Sequence, residues 1–218
     1  MKPLTILVDV DDVLENLCEE WVRRLNEKYG TSVSYEDVTE WDIAKFYPSL
    51  AREQVFAPLH EPDIWFSLSP KEGAICYLKK LVEDGFDVYL CTSTYYKNVD
   101  WKYRGVVKRY FPFINWDHVI VTSRKQMIIA DFLIDDAPHN LEGGVYIKIL
   151  MTAPHNKNYD VNGKGIIRCD SWKEIYEVIT NYKKLQDKKP HSAYDFETKI
   201  DNVFHDAERS VTEAIQNH

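Results

Sequence analysis

The fold of this chain is decided by residues 4–12, which read LTILVDVDD. The apolar, β-branched run from Leu4 to Val10 ends in Asp9-Val10-Asp11-Asp12. Such a run is typical of a strand that is buried on both faces of a parallel sheet. Residues two apart point to the same side of a strand, so the carboxylates of Asp9 and Asp11 can approach one ligand. The alternative interpretation of this segment is a solvated turn that caps a helix.

Helical and strand patterns alternate along the rest of the chain. Apolar residues at three- and four-residue steps from Leu14 predict an amphipathic helix that stops at Gly30, and three further helices are predicted over 72–83, 98–110 and 172–182. Strands are predicted at 86–91, 118–121, 132–134 and 145–151. This alternation predicts an α/β fold with a mainly parallel sheet.

Charge and cysteine content limit the class of protein. Among 218 residues there are 35 acidic and 27 basic ones, a formal net charge of -8, which argues against a surface for a nucleic-acid polymer. The four cysteines form no C-x-x-C pair, and Cys76 and Cys91 lie in apolar segments, so we expect buried thiols in a reducing compartment. No run approaches the ~20 apolar residues of a membrane span. We therefore expect a cytoplasmic protein.

Reactive side chains follow the predicted strands. The strand at 86–91 leads into Thr92-Ser93-Thr94, whose hydroxyls and backbone amides suit an anion. The strand at 132–134 leads into Asp135-Asp136, and adjacent carboxylates there require a neutralising cation, for which a hard divalent ion is the natural candidate. Lys125 precedes this strand. A single lysine indicates no function unless the neighbouring motifs are considered with it. Helix caps and turns explain each motif equally well when it is taken alone.

Taken together, these motifs resemble the haloacid dehalogenase-like superfamily of aspartate-nucleophile phosphatases. The superfamily's motifs are matched in order by Asp9-Val10-Asp11-Asp12-Val13, Thr92, Lys125 and Asp135-Asp136. A closer resemblance is to the 5'(3')-deoxyribonucleotidase family. It covers about residues 4 to 182 and rests on the segment KQMIIADFLIDD at 125–136, on Cys91-Thr92-Ser93, on TAPHN at 152–156 and on Ser171-Trp172.

The resemblance implies a three-layer, Rossmann-like fold and a two-step reaction. Asp9 is expected to attack phosphorus, while Asp11 protonates the departing ribose oxygen and later deprotonates the hydrolytic water. Thr92, Ser93 and Lys125 are expected to bind the phosphoryl group. Magnesium is expected on the Asp9 carboxylate, the Asp11 backbone carbonyl and one or both of Asp135 and Asp136.

The resemblance also implies a nucleoside monophosphate as the substrate, with deoxyribonucleosides favoured. Leu17, Trp65 and Phe66 are expected to contact the base, whereas most of the three residues Trp41, Phe46 and Phe56 are expected to form the core of a small cap. The chain departs from the family at four positions: Asp12 replaces a glycine, Leu17 an aromatic residue and Ala137 a basic one, and the arginine before Lys125 is displaced to Arg124.

Two other functions stay open. One is a phosphatase for another small phosphate, such as a sugar phosphate or a polynucleotide end; the acidic charge disfavours the polynucleotide. The other is a domain that binds nucleotides or proteins without turnover. The joint presence of Asp9, Asp11, Lys125 and Asp135-Asp136 argues against it, because binding alone requires no nucleophile.

The chain is predicted to divide into four parts. Residues 1–15 and 70–182 form the phosphatase core, and residues 16–69, which we call the cap segment, form a small helical cap inserted after the first strand. Residues 183–190 form a linker. Residues 191–218 form an amphipathic helix with apolar residues at three- and four-residue steps. This tail helix either folds back on the core or pairs with a second copy to give a homodimer.

Overall fold

The computed structural model describes residues 2–187 and contains a six-stranded parallel sheet. The strands lie in the order β3-β2-β1-β4-β5-β6. Consecutive residues of β1 and β4 are buried, so both faces of the sheet are covered, as a three-layer fold requires. The α/β prediction is confirmed. The strand bounds are β1 Thr5–Val8, β2 Asp87–Thr92, β3 Val119–Val121, β4 Phe132–Asp135, β5 Ile147–Met151 and β6 Ile166–Cys169.

The order in which strands are added to the sheet reverses between β1 and β4. From β1 the chain adds β2 and β3 on one side, and it then returns to add β4, β5 and β6 on the other. Ile6 is in register with Phe132, and the backbone N–H of Asp9 donates to the carbonyl of Ile134 over 2.9 Å. In parallel sheets, ligands bind beyond the carboxyl ends of the strands at this switch point. The two acidic motifs therefore lie side by side.

Seven α-helices and several single 3₁₀ turns accompany these strands in the described chain, and the last helix follows β6. The first helix begins three residues later than its apolar periodicity predicts. Leu14 N–H donates to the Val10 carbonyl, and Asp12 has a φ of 53°, so a tight turn occupies this stretch. The helix bounds are α1 Leu17–Tyr29, α2 Arg52–Phe56, α3 Pro62–Ser67, α4 Ala74–Glu83, α5 Val99–Lys102, α6 Lys108–Tyr110 and α7 Trp172–Asp187; a π-helical turn, Tyr103–Val107, joins α5 to α6.

The cap segment has an apolar cluster of its own. Buried residues of α1 pack with buried residues of the irregular stretch that follows it, and Phe46 and Phe56 cover the same cluster, as predicted. All members come from residues 18–56, which favours the predicted cap, although its boundaries stay a prediction. The buried members are Cys18, Val22, Leu25, Val38, Ile43, Tyr47 and Val55.

Three expectations require correction. The strand β6 was not predicted, because its four residues include Arg168 and follow a polar, glycine-containing loop. Cys76 is exposed, whereas the other three cysteines are buried; all four are free. Helix α7 continues to Asp187, through most of the predicted linker, because residues 183–186 are good helix formers.

The chain divides into two units, Met1–Val178 and Ile179–His218. The second is described only for residues 179–187, which continue α7. The predicted tail helix and the rest of the linker lie outside the described residues. Within residues 2–187, no helix combines the length and apolarity that crossing a membrane requires.

Candidate active site

Lys125 lies at the centre of the acidic cluster. Its Nζ is 2.6 Å from Asp9 Oδ1 and 2.6 Å from Asp135 Oδ2, and its side chain is 1% exposed. The 3₁₀ turn Lys125–Met127 places it between the ends of β1 and β4. Burial alone would lower the pKa of Lys125, but the two carboxylates outweigh burial and raise that pKa above its ordinary value. The lysine is therefore a permanent cation.

Three carboxylates converge around this cation. Asp9, Asp135 and Asp136 are all buried, and each offers an oxygen within 4.8 Å of the others. Burial raises the pKa of Asp9 well above its usual range and also raises that of Asp135, although Lys125 acts in the opposite direction on both. One ammonium does not balance three carboxylates. The donor set therefore fits a hard divalent cation, which binds through oxygen.

The two acids of the second pair have different partners. Asp135 accepts hydrogen bonds from Lys125, from the backbone N–H of Ala137 over 2.9 Å and from Asn140 Nδ2 over 3.1 Å. These three donors occupy most of its acceptor capacity. Asp136 instead lines the open cavity, with His155 Nε2 2.9 Å from its Oδ2. Asp136 thus has a carboxylate oxygen available to a ligand in the cavity, whereas the Asp135 carboxylate is engaged by Lys125, Ala137 and Asn140.

His155 is the basic residue beside Asp136, where Ala137 provides no basic side chain. Burial alone would lower the pKa of His155, but its contact with Asp136 outweighs burial and raises that pKa. Ala137 is fully buried, so a basic side chain at this position has no room in the present packing. The histidine was not singled out from the sequence.

A second buried lysine, Lys102, which no sequence motif marks, contacts both Asp11 and Thr92. Lys102 Nζ lies 2.6 Å from Asp11 Oδ2 and 2.8 Å from Thr92 Oγ1. Asn98, Lys102 and Val106 are all buried, at steps of four residues. A lysine is almost never fully buried without a partner, so its burial in the structure, and not the sequence pattern, identifies Lys102.

A cavity of about 610 Å³ opens above these groups. Asp9, Asp11, Ser93, Lys125 and Asp136 all line it, so the structure brings the predicted phosphate-binding and acidic residues to one place. Thr92 lies behind this surface, 3% exposed, where it accepts the hydrogen bond from Lys102.

Of the three predicted base contacts, only Leu17 lines the cavity. Trp65 is 2% exposed, and its ring lies 4.9 Å from Lys102 Nζ, so it covers the lysine and not a ligand. Phe66 is partly exposed outside the cavity, and its carbonyl accepts a hydrogen bond from Arg109 over 2.7 Å. The structure therefore corrects the placement of Trp65 and Phe66.

Trp41 is the aromatic residue that faces the cavity. Its ring meets His139 edge to face at 4.8 Å and His155 at 5.3 Å, and 58% of the residue is exposed. The expectation that Trp41 belongs to the apolar cluster of the cap segment is wrong. Its neighbours Glu40 and Asp42 also line the cavity, but flanking acids alone do not predict that an aromatic residue is exposed.

Asp12 occupies a backbone conformation that usually favours glycine. Its φ is 53°, a value that aspartate tolerates better than most residues. Both carboxylate oxygens lie 3.2 Å from the backbone N–H of Cys18, in the first turn of α1. Burial first, and then the charge of Asp136, raise the pKa of Asp12 to about 7. The carboxylate therefore caps α1, which glycine cannot do.

Comparisons with known proteins agree with this geometry. A family model described as "5' nucleotidase, deoxy (Pyrimidine), cytosolic type C protein" matches residues 2–185. A protein of Clostridium acetobutylicum named 5'(3')-deoxyribonucleotidase is 32% identical over 183 residues, which cover 84% of this chain and 98% of the relative. A Bacillus subtilis protein of the same name is 32% identical over 176 residues, 78% of this chain and 95% of its own.

Solved structures share the fold at low sequence identity. A putative phosphoglycolate phosphatase from Lactobacillus delbrueckii is similar with a TM-score of 0.61 at 12% identity, covering 82% of this chain and 99% of its own. A putative haloacid dehalogenase-type hydrolase from Bacillus subtilis, bound to magnesium, is similar with a TM-score of 0.50 at 16% identity, covering 82% and 99% respectively. These likenesses concern the fold alone.

Proposed function

This chain belongs to the family of deoxy (pyrimidine), cytosolic type C 5'-nucleotidases, within the haloacid dehalogenase-like superfamily, and from this premise we propose that it releases phosphate from nucleoside monophosphates through an aspartyl-phosphate. The observation that carries the proposal is the contact of Lys125 Nζ with Asp9 Oδ1 over 2.6 Å, at the cavity wall. Burial raises the pKa of Asp9, and the ammonium ion of Lys125 opposes that rise, so the contact favours the carboxylate form that can act as a nucleophile.

In the first step, a carboxylate oxygen of Asp9 attacks phosphorus. The bond between phosphorus and the ribose oxygen breaks, and its electron pair goes to that oxygen, which takes a proton from Asp11. The product is an aspartyl-phosphate and a free nucleoside. Asp11 lines the same cavity as Asp9, so both groups reach one bound phosphate. Ser93 and Thr92 donate hydrogen bonds to phosphoryl oxygens, and Lys125 offsets their charge.

In the second step, water attacks the phosphorus of the aspartyl-phosphate. Asp11, now a carboxylate, takes a proton from the water, and the bond between phosphorus and the Asp9 oxygen breaks. Its electron pair restores the Asp9 carboxylate, and inorganic phosphate leaves. Asp11 thus acts first as an acid and then as a base, which leaves it ready for another cycle.

Magnesium is the cofactor that we propose for the acidic cluster. The excess of three buried carboxylates over one lysine supports a divalent cation there. Asp9, Asp136 and the backbone carbonyl of Asp11 would hold it, with Asp135 as a further ligand or as their support. When bound, magnesium would offset the negative charge of the phosphoryl group during transfer.

The cavity supports a base as the second half of the substrate. Its volume of about 610 Å³ falls within the roughly 300–1,000 Å³ of small-molecule sites. Trp41 and Leu17 offer apolar surface to a planar ring, and an aromatic side chain that stacks on a base contributes ~1–3 kcal/mol. The preference for deoxyribonucleosides that we propose rests on the names of the relatives.

The test is phosphate release from ribo- and deoxyribonucleoside 5'- and 3'-monophosphates and from sugar phosphates, with and without Mg²⁺. We expect metal-dependent release that is strongest on deoxyribonucleotides and absent in Asp9→Asn. Release from sugar phosphates alone would contradict the substrate and retain the mechanism. Full activity of Asp9→Asn would contradict the mechanism itself.

A further inference from the structure

Lys102 is a buried lysine that no step of the proposed reaction uses. It ends α5, and it lies behind the cavity wall, with a side chain that is 3% exposed. We propose that Lys102 is a positioning residue, which holds the Asp11 carboxylate and the Thr92 hydroxyl in the orientation that phosphoryl transfer requires. This inference deepens the proposed function and rests on it, because it takes the roles of Asp11 and Thr92 from there.

The direction of the hydrogen bonds carries the first part of the argument. An ammonium group has three donors and no acceptor. Thr92 Oγ1, 2.8 Å from Lys102 Nζ, must therefore accept, and its own hydrogen points elsewhere. Without the ammonium, this hydroxyl can donate to a nearby carboxylate instead. Lys102 thus leaves the Thr92 hydroxyl free to donate to a phosphoryl oxygen.

The Asp11 carboxylate depends on the same lysine. Lys102 Nζ is 2.6 Å from Oδ2, whereas the buried Oδ1 has no hydrogen-bond partner among residues 2–187. In this described part of the chain, no other cation forms an ion pair with Asp11. The buried Glu15 side chain also interacts with Asp11, but Glu15 is itself acidic, so loss of Lys102 removes the one ion pair that holds the Asp11 side chain among the described residues.

Two features of the backbone next to Lys102 place its side chain behind the cavity. The π-helical turn Tyr103–Val107 begins at the residue after Lys102, and such turns are frequent at functional sites. Within the turn, a Cβ on Gly105 would lie 2.3 Å from the carbonyl oxygen of Trp65, so glycine permits this close approach. The Trp65 ring then lies 4.9 Å from Lys102 Nζ and shields it from water.

The test compares two leaving groups. Lys102→Met, Lys102→Arg and the control Lys108→Met, which changes an exposed lysine of α6, are assayed on the preferred nucleotide and on p-nitrophenyl phosphate. In Lys102→Met, we expect kcat/KM on the nucleotide to fall by about 100- to 1,000-fold, the scale of proton-transfer catalysis. On p-nitrophenyl phosphate we expect a fall of less than about 10-fold, because nitrophenolate leaves without a proton from Asp11 and only the orientation of the Thr92 hydroxyl is lost. Lys102→Arg should recover part of the loss.

Equal losses on the two substrates in a Lys102→Met protein of unchanged melting temperature would overturn the proposal, because a structural role predicts no leaving-group dependence. Failure of the proposed function gives a different result: the unaltered protein then releases no phosphate from nucleotides. A crystal structure of Lys102→Met tests the positioning without any activity. We expect new rotamers of Asp11 and Thr92, and unchanged rotamers would contradict the inference.

Discussion

The indole ring of Trp41 meets the imidazole ring of His139 edge to face, with 4.8 Å between their centroids. Trp41 belongs to the cap segment, and His139 follows the acidic pair that ends β4. The two rings form one wall of the cavity in which we place the base. This contact therefore connects the cap segment, which supplies part of the proposed base site, to the segment after β4 that carries Asp135 and Asp136.

Replacement of Trp41 is therefore expected to weaken substrate binding and to leave the chemistry intact. In Trp41→Ala, KM for the preferred nucleotide should rise by about 5- to 150-fold, the equivalent of ~1–3 kcal/mol of base stacking. The kinetics on p-nitrophenyl phosphate should stay unchanged. Steady-state assays of Trp116→Ala, a similarly exposed tryptophan outside the cavity, provide the control. A loss of kcat on both substrates would instead assign Trp41 to the catalytic groups.

Magnesium is expected to stabilise the folded chain. A ligand at 100 times its Kd adds about 2.7 kcal/mol of stability, which corresponds to a rise of roughly 5–10 °C in Tm for a protein of this size. Asp136→Asn replaces a charged carboxylate ligand with a neutral amide and should abolish most of the rise, while the exposed control Asp63→Asn keeps it. Differential scanning fluorimetry with and without Mg²⁺ measures both. An Asp136→Asn protein that still gains the full shift would exclude this carboxylate as a ligand.

The network around Glu20 gives the cap segment a pH-dependent stability. Burial alone would raise the pKa of Glu20, but hydrogen bonds from Arg23, Ser67 and Arg24 outweigh it and lower that pKa to about 2. A depressed pKa stabilises the folded state above the ordinary value of 4.5, and this contribution disappears as pH falls toward 2.

Glu20→Gln should therefore unfold more easily than the unaltered protein at pH 7, by about 1 kcal/mol, since partly exposed ion pairs contribute little. The difference should narrow as pH falls from 5 to 3. Urea unfolding across this range tests the sign, with the neighbouring exposed Glu19→Gln as the control. A difference that grows toward acid pH would contradict the assignment.

Gly105 is expected to resist even the smallest side chain. A Cβ there would lie 2.3 Å from the oxygen and 2.8 Å from the carbon of the Trp65 carbonyl, and backbone atoms cannot move aside cheaply. Gly105→Ala should cost about 1–3 kcal/mol of unfolding free energy. Helix propensity alone predicts the opposite sign, a gain of ~1 kcal/mol. Chemical denaturation distinguishes the two, and the exposed neighbour Arg104→Ala should stay within about 0.5 kcal/mol.

The sequence was sufficient to predict that the acidic pairs and Lys125 lie together, because the decisive signals are local. Asp9 and Asp135 each follow a short, continuous apolar run, and parallel strands necessarily bring their carboxyl ends to one edge of the sheet. Lys125 became informative through its spacing in the sequence from the acidic pair Asp135-Asp136. The family resemblance then supplied roles that no single motif carries.

The missed residues depend on tertiary packing. Trp41 and Trp65 stand in the same irregular segment, and only the packing of the cap segment determines which one is buried. Lys102 is an ordinary helix former in the sequence, and its contacts with Asp11 and Thr92 exist only when β1, β2 and α5 meet. The strand β6 lacked a long apolar run because it pairs with a neighbour on one side only.

The position of β1 in the middle of the sheet has a consequence for synthesis of the chain. Ile6 pairs with Phe132, and Thr5 N–H donates to Asp131 Oδ2. Strand β1 is therefore synthesised more than a hundred residues before β4, the strand with which it pairs on this side. Until then, one edge of an apolar strand stays open to other chains. Pairing over such a separation is slow and favours aggregation. Fragments that end before residue 131 should therefore accumulate as insoluble material during expression.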